Sequence, residues 1–378
     1  MTTIPSAAPT EAAAWWHRYA SLRIKTLSLI AATVLGLLLL LYIPLRRELG
    51  ASFGELEAET MRANVARAVS ALNDELASLN GTAGDYATWD DTYQFAADGN
   101  QEYVAVNVAD NALANSRISL FLVYDAERRL VLGKGVNLAT GQPRDVPAVF
   151  GQAPPERLFA LPATTSAVTG LLVLDSEAFL LAARPIITSD GEGPSRGTLV
   201  MGREVSDGLI QRLAGTTYLA VALLRADDPA VPGELREAIR SGAAPVIQPL
   251  DGRRIAGYQG LADLGGATGL VARVEIEREI YARGQASIRS LTLAMLLGGL
   301  VLGLAMMLLI ERTVLWRLVQ LDGAVGLIRA EQSLAARVPV RGHDELAGLS
   351  RSINLLLDGV EQARQHQLDA ETARQELQ

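Results

Sequence analysis

SLTLAMLLGGLVLGLAMMLLI, residues Ser290–Ile310, is a run of 21 positions without a charged side chain. Thr26–Leu45 is a second, of 20 residues, and includes LGLLLLLYIPL. Each supplies the roughly 20 apolar residues that carry a helix across about 30 Å of hydrocarbon. A core helix of a soluble protein is the competing reading, and two such runs in one chain disfavour it. The first run also differs from a cleaved leader. Its apolar core exceeds the usual 7–15 residues or so, and no small-x-small cleavage site follows. The expected organisation is therefore two membrane helices, at residues 26–45 and 290–310, around a segment at 46–289.

Charge divides at the same points. The 378 residues include 42 Asp and Glu against 34 Lys and Arg, giving a net charge of −8. Residues 1–45 hold three basic residues and one acidic, residues 46–289 hold 23 and 31, and residues 290–378 hold 8 and 10. The negative excess belongs to the central segment. Such a balance lacks the footprint of a nucleic-acid binder, so no nucleic-acid partner is expected. With no Cys, thiol catalysis, Cys-ligated zinc and iron–sulfur clusters are excluded. His17, His343 and His366 all lie outside residues 46–289, which removes a His-based triad there. No cofactor and no metal is expected.

Orientation is less determined. Arg18, Arg23 and Lys25 precede the first run and Arg46 and Arg47 follow it; Arg283 and Arg289 precede the second, and Arg312 and Arg317 follow. Long segments cross membranes largely regardless of charge. An acidic segment of this size suits export, with both termini cytoplasmic and Trp15, Trp16 and Trp316 near the inner interface. Gly299 and Gly303, with Ala294 and Gly298, place small residues at four-residue spacing, which lets helices approach closely, as in a dimer contact.

Within the central segment, Val65, Val69, Leu72, Leu76 and Leu79 mark one face of a helix expected to end near Asn80-Gly81. The period then changes. RISLFLVYD (Arg117–Asp125), RLVLG (Arg129–Gly133), GLLVLD (Gly170–Asp175), AFLLAARPII (Ala178–Ile187) and GTLVMGR (Gly197–Arg203) read as five strands of an antiparallel sheet. A smaller α+β unit follows: YLAVALLR (Tyr218–Arg225), a helix near Glu234–Arg240, RIAGYQGL (Arg254–Leu261) and TGLVARVEI (Thr268–Ile276).

Between helix and sheet lies DYATWDDTYQF, residues 85–95. Asp85, Trp89, Asp90, Asp91 and Tyr93 resemble the D-W-x-x-W-D-D-x-Y hallmark of the fourth type of CHASE extracellular sensory domain, with Tyr86 replacing the commoner Trp. Arg184, Pro185, Gly197, Gly202 and Arg203 extend the likeness, which covers most of residues 55–285. The resemblance implies a PAS/Cache-like sensor of an extracytoplasmic stimulus, small-molecule or physical. On one continuous helix Tyr86, Trp89, Asp90 and Tyr93 would share a side. Aromatic walls and carboxylates suit a small amine or polyol; the same residues serve equally to pack the helix on the sheet. Two adjacent Asp point to different helix sides and give no calcium loop. Arg184 and Arg203 are candidates for an anionic ligand group or for ion pairs with Asp90 or Asp91. The candidate ligand-binding set is Asp85, Tyr86, Trp89, Asp90, Asp91, Tyr93, Arg184 and Arg203.

Beyond Ile310, residues 311–363 resemble a HAMP domain through Leu321, Ile328, Leu334, Val338, Val340, Gly342, the run Asp344-Glu345-Leu346 and Asn354. Leu318 and Ile353 depart from the Pro and Phe usual there. Independently, Leu346, Leu349, Ile353, Leu356, Val360 and Ala363 alternate at three and four, the seam of a coiled coil. A lone helix cannot bury that seam, so a homodimeric four-helix bundle is expected. The seam degrades through Gln367, Ala370, Arg374 and Leu377, and QARQHQLDA around His366 lacks a phospho-acceptor pattern.

Together these readings describe an α+β membrane receptor. Its parts are a cytoplasmic segment (1–25), a membrane helix (26–45), the sensory domain (46–289), a second membrane helix (290–310), an all-α HAMP bundle (311–363) and a helical tail (364–378). The resemblance implies a multi-pass protein of the bacterial inner membrane. No catalytic output module is expected in the chain, so the output would lie on a separate cytoplasmic protein. Two alternatives are an output-less remnant of a diguanylate cyclase, phosphodiesterase or histidine kinase, and a scaffold pairing with another HAMP receptor.

Overall fold

The structure, a computed structural model, describes residues 22–175, 177–191, 194–242, 244–331 and 336–375. The readings on Trp15, Trp16, His17, Arg18, Leu334 and Leu377 lie outside the described residues. Two units are distinguished, Gly50–Gln285 and a second made of 1–49 with 286–378.

Helix α1 spans Leu22–Ala87 and contains the whole first apolar run, with Pro44 inside it. Within Gly50–Gln285 its buried positions Met61, Val65, Ala68, Leu72, Leu79, Ala83 and Ala87 recur at helical spacing. The helix does not stop at Asn80-Gly81. Ala83 and Ala87 continue the buried stripe, so packing carries the helix past a glycine whose propensity alone favours a stop.

Short helices α2 (Asp90–Asp98), α3 (Gln101–Asn107) and α4 (Asp110–Asn115) follow. They lead into a six-stranded antiparallel sheet of β1 (Leu120–Asp125), β2 (Leu130–Val136), β3 (Pro143–Arg144), β4 (Val168–Val173), β5 (Ala178–Pro185) and β6 (Gly197–Glu204). The order is β3-β2-β1-β6-β5-β4. The five expected strands are present; the sixth, β3, has two residues, too short to leave a period-two signal. Alternation sends Phe121, Val123, Leu180, Ala182, Leu199 and Met201 to the face covered by α1. Leu120, Leu122, Tyr124, Phe179, Leu181 and Val200 go to the opposite face, with Phe150 and Leu158. At Gly197 φ is +150°, and a Cβ would stand 2.0 Å from the Tyr124 carbonyl oxygen, so only glycine fits this strand start.

Helix α5 (Val149–Gln152) lies in the β3–β4 connection, and α6 (Asp207–Thr217) leads to the second sheet. That sheet comprises β7 (Ala220–Arg225), β8 (Val246–Pro249), β9 (Arg254–Ala262) and β10 (Thr268–Glu277) in the order β7-β10-β9-β8, with α7 (Arg236–Ser241) before β8. Strand β8 was not expected, since VIQP carries only four residues and a proline. One face packs on Met61, Val65 and Ala68 of α1, the other on Val231 and Ile239. The two sheets join where the Leu264 amide donates to the Leu171 carbonyl of β4 at 2.7 Å.

Helix α8 (Glu279–Ile310) begins in the Gly50–Gln285 unit, contains the second apolar run and passes through a π-helical turn, Glu311–Leu315, into α9 (Trp316–Glu331). Both apolar helices are long and apolar enough to cross a membrane. A Cβ at Gly299 would meet Leu38 at 2.4 Å, so this small residue lets the second apolar helix approach the chain's own first one closely. Helix α10 spans Glu345–Gln375.

Candidate functional site

The segment DYATWDDTYQF does not form one helix. Helix α1 ends at Ala87, Trp89 is extended at φ −78° and ψ 135°, and Asp90 begins α2. The side that Tyr86, Trp89, Asp90 and Tyr93 would share on a continuous helix is therefore replaced by a corner. The corner is held from outside. The Ile187 amide donates to the Ala87 carbonyl at 3.0 Å, satisfying an acceptor that the broken helix leaves open.

Each motif residue has a distinct place. Trp89 is 38% exposed and its ring stacks on Tyr86 at 4.2 Å between centroids. Tyr86 stands edge-on to Phe121 of β1 at 5.7 Å, and burial raises its pKa. Asp90 accepts from the Ser189 amide at 3.0 Å and the Ser189 hydroxyl at 2.8 Å. Those two bonds, the amide first, hold its carboxyl below the ordinary range. The Tyr93 hydroxyl donates to the Pro194 carbonyl at 3.3 Å, while the Arg196 guanidinium lies 3.9 Å from the Tyr93 ring centroid and donates to the Tyr93 carbonyl. Asp90 and Tyr93 thus tie down the chain that follows β5. Asp85 and Asp91 are exposed.

Asp91 opens onto a cleft of about 260 Å³ between α2 and α3, with Asp98, Asn100 and Glu102 on its rim. Phe95 and Tyr103, stacked at 4.6 Å, form its buried wall. The Tyr103 hydroxyl shares a 2.8 Å hydrogen bond with Thr92, and burial pushes its pKa up to about 12. The acidic rim has a sequence signature that motif reading passes over. Between Arg67 and Arg117 there is no Lys or Arg at all.

The two strand arginines reach α1, away from Asp90 and Asp91. Alternation puts Arg184 and Arg203 on the helix-covered face. Arg184 Nε donates to Asn80 Oδ1 at 2.9 Å and Nη1 to the Thr165 carbonyl at 3.4 Å. Arg203, whose side chain is 1% exposed, pairs with Glu75 and donates Nε to the Arg117 carbonyl at 3.0 Å. The expected ion pairs with Asp90 or Asp91 are replaced because the strand period aims both guanidinium groups at the long helix. Ser189, Arg196, Glu75 and Tyr103 are the residues that sequence reasoning missed. All four act through partners distant in the chain.

In the second unit, Asp344 accepts from Arg317 Nη1 at 2.6 Å and from the Ala347 amide at 3.1 Å, just ahead of α10. The amide, then Arg317, lowers its pKa. Glu345 opens that helix and Leu346 is half-buried. Asn354 makes a two-way clasp on Val338: its Oδ1 accepts from the Val338 amide at 2.8 Å and its Nδ2 donates to the carbonyl at 2.9 Å. Leu349, Leu356 and Val360 are exposed.

Among known protein families, the CHASE4 domain matches residues 71–224. The chain is 30% identical over 299 residues to the methanogenesis regulatory histidine kinase FilI of Methanothrix harundinacea (strain 6Ac), covering 78% of this chain and 33% of that protein. It thus spans about a third of the length of the curated relative it matches. Among solved structures, it is similar to the extracellular domain of vpHK1S-Z8 (11% identity, TM-score 0.43, 62% of this chain and 95% of that one). The ligand-binding domain of the Campylobacter jejuni chemoreceptor Tlp3, solved with L-valine, gives 12% identity and a TM-score of 0.38 over 62% of this chain and 97% of that one.

Proposed function

We propose that this chain, which carries a CHASE4 domain at residues 71–224 between two long apolar helices, is a two-span membrane receptor. The position of that domain between the helices is the observation that carries the reading. In it, residues 46–289 face outward, both termini lie in the cytoplasm, and a stimulus favouring one conformer of the sensor shifts its population. The second apolar helix passes the change to residues 311–363, which act as a HAMP-like relay. The Asn354 clasp on Val338 and the exposed seam of Leu349, Leu356 and Val360 support a pair of helices completed by a second copy. The similarity to a regulatory histidine kinase, of which the matched residues make up 33%, supports an output reaction performed outside these residues.

The ligand contacts fall to the exposed members of the motif. Trp89, backed by Tyr86, offers a flat apolar face, and Asp85 and Asp91 offer carboxylates. Asp90, Tyr93, Arg184 and Arg203 hold the scaffold. The test is a thermal-shift screen of the detergent-purified chain against amines, polyols, amino acids and carboxylates. A stabilising compound whose shift disappears in Trp89→Ala, with unliganded melting unchanged, is the expected result. A shift of equal size in Trp89→Ala removes this face from the site, and no shift with any compound overturns small-molecule sensing.

A further inference from the structure

Outside the motif region, one pair of charged residues is more deeply buried than its position warrants. Glu57 lies on α1 beyond the first apolar run and is 3% exposed. Arg278 is the residue immediately before α8, the helix that enters the second run. Its Nε donates to Glu57 at 3.2 and 3.1 Å, and its Nη2 at 2.8 Å. Nη1 donates to the Asp251 carbonyl at 3.3 Å, and the guanidinium lies 4.0 Å from the Tyr281 ring centroid. Four residues before Glu57 on α1, Phe53 covers Gly284, six residues beyond Arg278, so closely that a Cβ there would fall 2.6 Å from the ring.

A buried ion pair contributes little net stability, and specifying register is its best-attested use. The surroundings fit that use. Sliding α8 by a turn along α1 would bring Arg278 to Phe53 or Met61, both without charge, while Glu55 and Glu59 lie on the exposed side. Only one register satisfies the guanidinium. Arg278 also directly follows β10, and its amide donates to the Arg253 carbonyl at 2.8 Å. At its other end β10 meets β4, where a Cβ on Gly269 would fall 2.6 Å from Val173.

We infer that the Glu57–Arg278 pair, with the Phe53–Gly284 contact, is a latch that fixes the axial register of the two helices at their membrane ends, and that strand β10 operates it. The inference rests on the two-span reading above. Displacement of the six-stranded sheet reaches β10 through β4, and β10 ends on the latch. Opening frees the helices to slide; closing restores one position.

The chain has no Cys, so an introduced pair supplies its only thiols. In membrane vesicles, oxidation of Phe53→Cys/Gly284→Cys is compared with Gly50→Cys/Phe53→Ala/Gly284→Cys, so that neither variant sets the Phe53 ring against the new Cβ, the intramolecular disulfide being read by gel mobility. The in-register pair is expected to form at least tenfold faster. Glu57→Gln should reduce that preference to within threefold, and the reversal Glu57→Arg/Arg278→Glu should restore it. A preference unchanged by Glu57→Gln overturns the latch. If Glu57→Gln does not accumulate, Arg278→Lys keeps the charge but loses the forked contact; an unchanged preference there overturns it equally. The ratio is measured in detergent as well. A chain that does not sediment with membranes overturns the receptor reading, while the detergent ratio still decides the latch.

Discussion

Arg203, in the middle of the six-stranded sheet, grips Glu75 on α1 through both its carboxylate and its main-chain carbonyl. Desolvation pulls the arginine's pKa down, and the Glu75 charge opposes it. Arg212 reaches the same carboxylate at 3.4 Å. One glutamate therefore serves two guanidinium groups on the buried side of the sheet.

Glu75→Ala should destabilise the fold by about 3–5 kcal/mol, because it leaves Arg203 charged and buried without its partner. Arg203→Met should cost less, since it removes the buried charge along with the contact. Chemical denaturation of the detergent-solubilised chain, followed by tryptophan fluorescence, orders the two. An Arg203→Met variant as unstable as Glu75→Ala would contradict the charge argument.

Alkaline stability should depend on Tyr103. Its folded pKa of about 12 lies above the ordinary value of 10, so the folded state favours the neutral phenol. Its contribution is complete below pH 10 and declines as pH rises toward 12, on the order of 2 kcal/mol. Tyr103→Phe should flatten that decline while losing roughly 1 kcal/mol at neutral pH with the Thr92 bond. Denaturation midpoints between pH 8 and pH 12, in steps of about half a unit, provide the check.

Gly197→Ala should prevent normal accumulation. A methyl group there would overlap the Tyr124 carbonyl in a backbone region that alanine rarely adopts. Membrane yield and circular dichroism measure the effect. Gly141→Ala is the control: it shares a positive φ but has open space around it, so it should cost only about 1 kcal/mol.

Asn354→Ala should free the connector before α10. Both Val338 main-chain groups lose their partner, and Arg337 and Arg341 on either side become accessible to trypsin. Cleavage there is expected to rise about tenfold, with cleavage in residues 50–285 unchanged. Asn354→Asp keeps the acceptor for the Val338 amide and should fall between the two.

What the sequence determined by itself rests on patterns that repeat within short windows. Two charge-free runs announce membrane-length helices, because hydrocarbon tolerates no exposed charge over that distance. Period-two alternation locates the five longer strands and sets Arg184 and Arg203 within two of them. The residue types of 85–95 were legible as a motif before their geometry was known. The tertiary structure decided whatever depends on distant partners. The corner at Thr88–Trp89 exists because the segment after β5 closes it through Ile187, Ser189 and Arg196, and no local propensity encodes that. Arg203 meets Glu75 and not Asp91 because α1 runs on past Gly81 across the sheet. Burial and partnership between residues a hundred positions apart belong to the folded chain, and they separate the motif residues that hold the scaffold from those left facing solvent.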